Sequence, residues 1–158
     1  MSGIDDAPTT ATELLWRQHA DELLRFATVL VGPSDASDIV TDAFLRCAPG
    51  LVAPAVDNQR AYLYRAVSNR AHDLRRTRRR RWSRDLAAIL PATTGGPDPL
   101  VDVRRAVSAL SIAQRAVVYL IYWEDRTEAA AAEILQVSPG TVRRHLTRAR
   151  THLRKALQ

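Results

Sequence analysis

Twenty-two arginines and one lysine carry the positive charge of this 158-residue chain, and most of them fall in two places. Residues 60–84 hold ten arginines beside one acid, Asp73, for a local charge of +9. Residues 138–158 hold Arg143, Arg144, Arg148, Arg150, Arg154 and Lys155 with no acid, for +6. The segments before them are acidic, −6 over 1–59 and −3 over 85–137, so the overall +6 conceals an acidic-then-basic order that occurs twice. A guanidinium grips phosphate with two parallel hydrogen bonds and also reads or stacks on base edges. High genomic GC content would raise the arginine count too, but it would not gather arginine into two segments. Two basic elements that meet a polyanion are the first expectation.

Other chemistries find no support. His19, His72, His145 and His152 lack metal-ligand spacing, and the one cysteine, Cys47, permits neither an internal disulfide nor a thiolate zinc site. No glycine-rich phosphate loop, nucleophile elbow or pair of buried carboxylates is present, so neither catalysis nor a cofactor is expected. No run of eighteen apolar residues occurs, and the start carries Asp5 and Asp6 without a basic leader. Membrane insertion is not expected, and the location expected is cytoplasmic.

The elements that must hold the basic faces follow from periodicity. With 46% apolar and 25% charged residues the composition is globular, and no segment alternates with the two-residue period of a strand. An all-α fold is predicted. Leu14, Leu15, Ala20, Leu23, Leu24, Ala27, Leu30 and Val31 recur at helical spacing up to Gly32-Pro33. A second helix is expected from Ser34 or Asp35, with Ala36, Ile39, Val40, Ala43, Phe44 and Cys47 as its stripe and Pro49-Gly50 as its stop. A third, about 60–81, should bury Leu63, Val67, Ala71 and Leu74. Proline and glycine make 82–99 a linker, with room for a helical turn at 85–90. Beyond it, Val103, Ala106, Val107 and Leu110 share a face, and Ser111 forms a capping box with Gln114. An alanine-rich helix over 127–135 is followed by a short break. Ser138 then caps a last helix with Pro139 at its first position. The organisation expected is a disordered tail (1–11), a module (12–84), a flexible linker (85–99) and a helix-turn-helix module (100–158).

At about 100° per residue, Val142, Leu146, Ala149 and Leu153 of the last helix must face inward. Arg144, Thr147, Arg148 and Thr151 then point outward, with Arg143 on the flank and Thr141 at the N-terminus, where backbone amides favour a phosphate. The same geometry turns Leu63, Val67 and Leu74 of the third helix inward. Tyr62, Arg65, Asn69, His72, Arg76 and Arg79 are left on one stripe of cations, an aromatic and an amide, which suits backbone contact with base stacking. In the second helix Asp35, Asp38 and Asp42 lie on the polar side. They either complement the helix dipole or form a face for a basic partner, and periodicity does not choose.

Three stretches resemble the extracytoplasmic-function (ECF) sigma factors, promoter-specificity subunits of bacterial RNA polymerase. Residues 35–45, DASDIVTDAFL, are similar to region 2.2. Residues 61–69, AYLYRAVSN, with the arginines after them, are similar to regions 2.3 and 2.4. Residues 110–142, through YWED to VSPGTV, are similar to region 4, a winged-helix-like helix-turn-helix. The resemblance implies that Asp35, Asp38, Asp42 and Phe44 dock on the β′ clamp of core RNA polymerase. It implies that the third helix, with the loop at about 49–59, opens and reads the −10 element, and that the last helix reads the −35 element. Core polymerase (β′ clamp and β flap), promoter DNA and an anti-sigma factor are the partners implied. The chain departs from the family pattern at Ser37, Thr41, Cys47-Ala48, Ala130 to Ala132 and Gln136. Glycine at the last position serves a left-handed backbone, so Gln136 implies strain or a reshaped turn.

Fully extended, 82–99 would reach roughly 60 Å at about 3.3 Å per residue. That spans roughly seventeen base pairs at about 3.4 Å each, enough for both modules to touch one promoter. A stand-alone helix-turn-helix regulator is the alternative, but it leaves the stripe on the third helix without a use.

Overall fold

The computed structural model describes residues 10–51, 58–85 and 99–158, and the side chains of these except 79–85 and 99–101. Among the described residues all regular structure is helical: α1 (Ala11–Val31), α2 (Pro33–Leu51), α3 (Gln59–Asp85), α4 (Pro99–Ser108), α5 (Ile112–Val118), α6 (Glu128–Leu135) and α7 (Pro139–Ala156). A single π-turn, Tyr119–Trp123, extends α5.

Local signals explain most boundaries. Thr10 and Glu13 form a reciprocal capping box at the start of α1, so the tail expected over 1–11 ends earlier, and 1–9 lie outside the described residues. Gly32, at φ 88°, turns the chain out of α1. Helix α2 begins at Pro33 rather than Ser34 or Asp35, because proline's fixed φ suits a first helical position where no N–H bond is needed. It also runs past Pro49-Gly50. Leu51 is fully buried, and its carbonyl accepts a hydrogen bond from Gln59 Nε2 at 2.8 Å. Helix α3 continues to Asp85, past the expected end near 81, since the first proline after it is Pro91. Of the expected linker, 86–98 lie outside the described residues, as does the 52–57 part of the −10 loop. The capping box of Ser111 with Gln114 is present, as are the caps Thr127 and Ser138.

The first three helices bury Leu15, Leu23, Phe26, Leu30, Ile39, Val40, Leu63, Tyr64, Val67 and Ala71. Two residues of the expected α1 stripe point out: Leu14 is 56% exposed and Leu24 41%. Leu14 and Leu24 each sit about 100° around the helix from a neighbour, Leu15 or Leu23, that takes the inward place. Val103 of α4 is exposed as well, while Ala106 is buried. The C-terminal module centres on Leu110, Ala116, Val117, Leu120, Ala131, Val142 and Leu146.

Gln136 adopts the left-handed conformation at φ 54°, as its place in the helix-turn-helix requires. Asp125, at φ 50°, does the same after the π-turn, where no glycine marks the position.

Both expected modules are present, and they touch. Helices α1 and α3 pack on α5, and α3 also packs on α6. Phe26, fully buried on α1, meets Tyr64 of α3 at 4.9 Å between ring centroids and Tyr119 of the second module at 5.2 Å. Replacing Phe26 by Ala should destabilise the chain by about 3–5 kcal/mol, measurable by urea denaturation. Gln136→Gly should stabilise it by about 0.5–1 kcal/mol, read as a raised Tm, because glycine carries no Cβ penalty at that φ.

Candidate nucleic-acid and polymerase interfaces

Helix α7 presents its outer face as the periodicity predicts. Val142, Leu146 and Ala149 are buried while Arg143, Arg144, Thr147, Arg148 and Thr151 are exposed. The Ser138 side chain accepts from the Thr141 amide at 3.1 Å, and the two hydroxyls meet at 2.9 Å, which defines the helix start. Thr147 and Thr151 donate to the carbonyls one turn back, so their hydroxyl lone pairs face outward. Arg143 pairs with Glu128 of α6 at 3.0 Å, an exposed pair worth about 0–1 kcal/mol that a phosphate can displace. Arg144 and Arg148 have no ion-pair partner among the described residues. Arg150, outside the expected set, hydrogen-bonds Tyr122 and lies over its ring.

On α3 the expected stripe divides. Tyr62, Asn69, His72 and Arg76 are exposed, Arg76 with only a 3.5 Å pair to Asp73, while the Arg79 side chain lies outside the described ones. Arg65 does not face open solvent. Its guanidinium donates to the carbonyls of Ile134 (3.1 Å) and Glu133 (2.9 Å) at the C-terminal end of α6.

The acids of α2 also divide. Asp35 pairs with Arg78 at 2.7 Å, and Asp42 with Arg46 and Arg70. Burial alone would raise the Asp42 carboxyl, but the hydrogen bonds from Arg70 and Arg46 outweigh it and hold the group below the ordinary range. Asp38 is exposed and unpaired among the described residues. Phe44 is 4% exposed and packs edge-on against Trp16 at 4.9 Å. It floors an apolar groove of about 320 Å³ between α1 and α2, whose walls include Arg17, Thr41 and the exposed Leu45.

The functional residues that sequence reasoning misses join the two modules. Arg60 of α3 donates to both Glu22 oxygens, at 3.1 and 2.9 Å from Nε, and also reaches Glu124 of the second module. Tyr64 and Tyr119 direct their hydroxyls at the other Glu124 oxygen, at 3.2 and 3.4 Å. Burial would raise the Glu22 carboxyl, yet hydrogen bonds from Arg60 and His19 hold it below its usual value. Burial, then the charges of Glu22 and Glu124, push the Tyr64 phenol far up, so it remains a donor. Arg115 of α5 donates to the Leu30 carbonyl at 2.6 Å, closing the far edge of the junction. Tyr64 and Glu124 are 60 positions apart. No local spacing links them.

A helix-turn-helix with a basic outer face, beside a helical module with a second basic face, defines a two-module nucleic-acid-binding protein. The Sigma-70 region 2 family matches residues 15–81, and the Sigma-70, region 4 family matches 100–153. The ECF RNA polymerase sigma factor SigM of Mycobacterium tuberculosis is 30% identical over 151 residues, covering 93% of this chain and 77% of the relative. Among solved structures, the sigma factor RpoE in complex with the anti-sigma factor NepR, from Bartonella quintana, superposes with a TM-score of 0.72. It is 27% identical, with 92% of this chain and 95% of that one covered. CnrH in complex with the cytosolic domain of CnrY gives 0.64 at 26% identity, with 93% and 87% covered. The chain belongs to the ECF RNA polymerase sigma factors, DNA-binding regulatory subunits that direct promoter-specific transcription. Among the described residues no single helix is long and apolar enough to cross a membrane.

His145 lies on α7 beside the exposed Arg144 and Arg148, with a buried Nδ1 that has no partner among the described residues. Burial, then the charges of Arg144 and Arg148, push its pKa below the usual value, and His72 is shifted the same way by cover from its neighbours and then by Arg75. An unfolded histidine titrates near about 6.5, so as pH falls the unfolded chain takes up protons first. Stability should therefore be greatest well above that value, at about pH 7.5, and lower at about pH 5.5. His145→Gln should make the decline shallower in urea titrations at the two pH values.

Proposed function

We propose that residues 12–84 serve as sigma region 2, residues 100–158 as region 4, and 85–99 as the linker between them. In this reading Thr141, Arg143, Arg144, Thr147, Arg148 and Thr151 contact the −35 element. Tyr62, Arg65, Asn69, His72, Arg76 and Arg79 contact the −10 strand as it unstacks. Exposed aromatics and guanidinium planes suit bases that have left the duplex, while an arginine-bearing helix N-terminal half suits a major groove. Asp35, Asp38, Asp42 and Phe44, with the groove beside Trp16, form the face offered to the β′ clamp, and region 4 meets the β flap. Of these, Asp38 and the groove are free to engage a partner directly. Asp35 and Asp42 would contribute through the α2–α3 arrangement that their arginine pairs hold.

The observation that carries the reading is the pairing of Arg144 and Arg148, both without an acid partner among the described residues, with a second basic face on the other module. A stand-alone regulator would need only the first of these. The chain has no chemistry of its own in this proposal. It works in the cytoplasm on core polymerase and promoter DNA, without entering the membrane. An anti-sigma partner belongs to the reading as well, supported by the solved complex of the similar RpoE with NepR.

Mixing the purified chain with core RNA polymerase and mapping transcripts across genomic DNA should reveal start sites that core alone does not use. The absence of new start sites, with the chain alone footprinting a palindrome, would refute the proposal. Arg144→Ala with Arg148→Ala should reduce −35-dependent initiation by about 30-fold or more, at about 1–3 kcal/mol per lost contact. Co-elution with core polymerase should be unchanged.

A further inference from the structure

Three arginines line a cavity of about 140 Å³ where α1, α3 and α5 meet: Arg75 and Arg78 from the first module, Arg115 from the second. Its apolar wall includes Leu30 and Ile112, both buried, and Leu74. Arg78 pairs with Asp35 at 2.7 Å. Arg115 is fixed by the carbonyls of Leu110, Leu30 and Ser108, one to each guanidinium nitrogen. A guanidinium has five N–H groups, so two of them stay unused. Arg75 is half-buried, and no ion pair or side-chain hydrogen bond reaches it among the described residues. Instead it faces another cation: burial, then the charge of Arg75, lowers the Arg115 pKa.

We propose that this cavity binds a small phosphate monoester, with its phosphoryl group on Arg75, Arg78 and Arg115 and its apolar part against Leu30, Leu74 and Ile112. A guanidinium taken partly out of water without a counter-ion costs free energy, and like charges around one apolar space add repulsion. An anion relieves both. Three guanidiniums and the single carboxylate of Asp35 leave a local charge of +2. A phosphate monoester carries about −1.5 to −2 at neutral pH and matches that charge. A carboxylate or one diester linkage of a nucleic-acid strand brings a single charge and matches it less well. The free fork of Arg75 supplies the parallel hydrogen bonds that phosphate oxygens accept. A water needs about 10–15 Å³ of such space, so the cavity also has room for a small apolar group. None of the three arginines is among the residues assigned above to the −10 or the −35 element, and the site is separate from the promoter contacts.

Isothermal titration of the full-length chain with inorganic phosphate, phenyl phosphate and benzoate, all at one ionic strength, tests the site. Phenyl phosphate should bind about 10-fold tighter than inorganic phosphate, because the wall takes up the ring, and tighter than the singly charged benzoate. Arg75→Gln should weaken phenyl phosphate by about 10- to 100-fold, the range for a charge-assisted hydrogen bond. Arg154→Gln, which removes an equal charge from α7, should leave it unchanged. Without ligand, Arg75→Gln should keep the wild-type Tm or raise it, since a repulsion is relieved. A fall in its Tm would show that Arg75 already stabilises the free fold and would overturn the proposal. Equal affinity for the three anions, or equal losses in the two variants, would show general attraction to a basic surface and overturn it too. Saturating phenyl phosphate should leave the anisotropy of a bound fluorescein-labelled single strand unchanged at the same ionic strength. Displacement of the strand would give these arginines to the DNA backbone instead and overturn the monoester site.

Discussion

Phe26 sits where α1, α3 and the start of the second module's π-turn converge, and the rest of the molecule is arranged around that contact. Its ring leaves no solvent-accessible surface, and it touches one tyrosine on each side. Both tyrosines carry a hydroxyl that must be satisfied once the rings are buried. Glu124 satisfies both, and its negative charge then requires Arg60, which in turn draws Glu22. An apolar contact thus dictates a polar network beside it. Two phenols taken out of water need an acceptor, and the acceptor needs a cation.

The arginines divide by environment rather than by number. Those within reach of a carboxylate, Arg60, Arg70 and Arg78, fasten α3 to α1, to α2 and to the second module. Arg144 and Arg148 lie on a helix that contains no acid, and they remain available to phosphate. A guanidinium cannot lose its proton at any pH the protein meets, so its charge must be paired or solvated. That division turns a basic composition into a few free donors on defined faces.

Much of this is legible in the chain itself. The capping boxes, the proline at the start of α7 and the apolar stripes are local signals, set by neighbours three or four positions away, and they place the helices within a few residues. The outward face of α7 follows from the same arithmetic. The differences have the same origin. Residue type alone turns Leu14 and Leu24 inward, although the packing of α1 buries their neighbours Leu15 and Leu23 instead. Pro49-Gly50 signals an end to α2, but the burial of Leu51 carries the helix past it. Arg65 is legible as a cation on α3 but not as a donor to α6. Asp35 and Asp42 are legible as acids but not as partners of Arg78 and Arg70.

The order of residues along the chain is therefore enough for the helices, the two modules, their basic faces and the family. All of these depend on contacts within one or two helical turns or on motifs read in order. Which charges are free is a matter of packing alone. Tyr64 meets Glu124 across 60 positions, and Arg65 meets Glu133 across 68. Closing such a distance depends on how complete helices pack, with Phe26 between them. No periodicity along the chain encodes it.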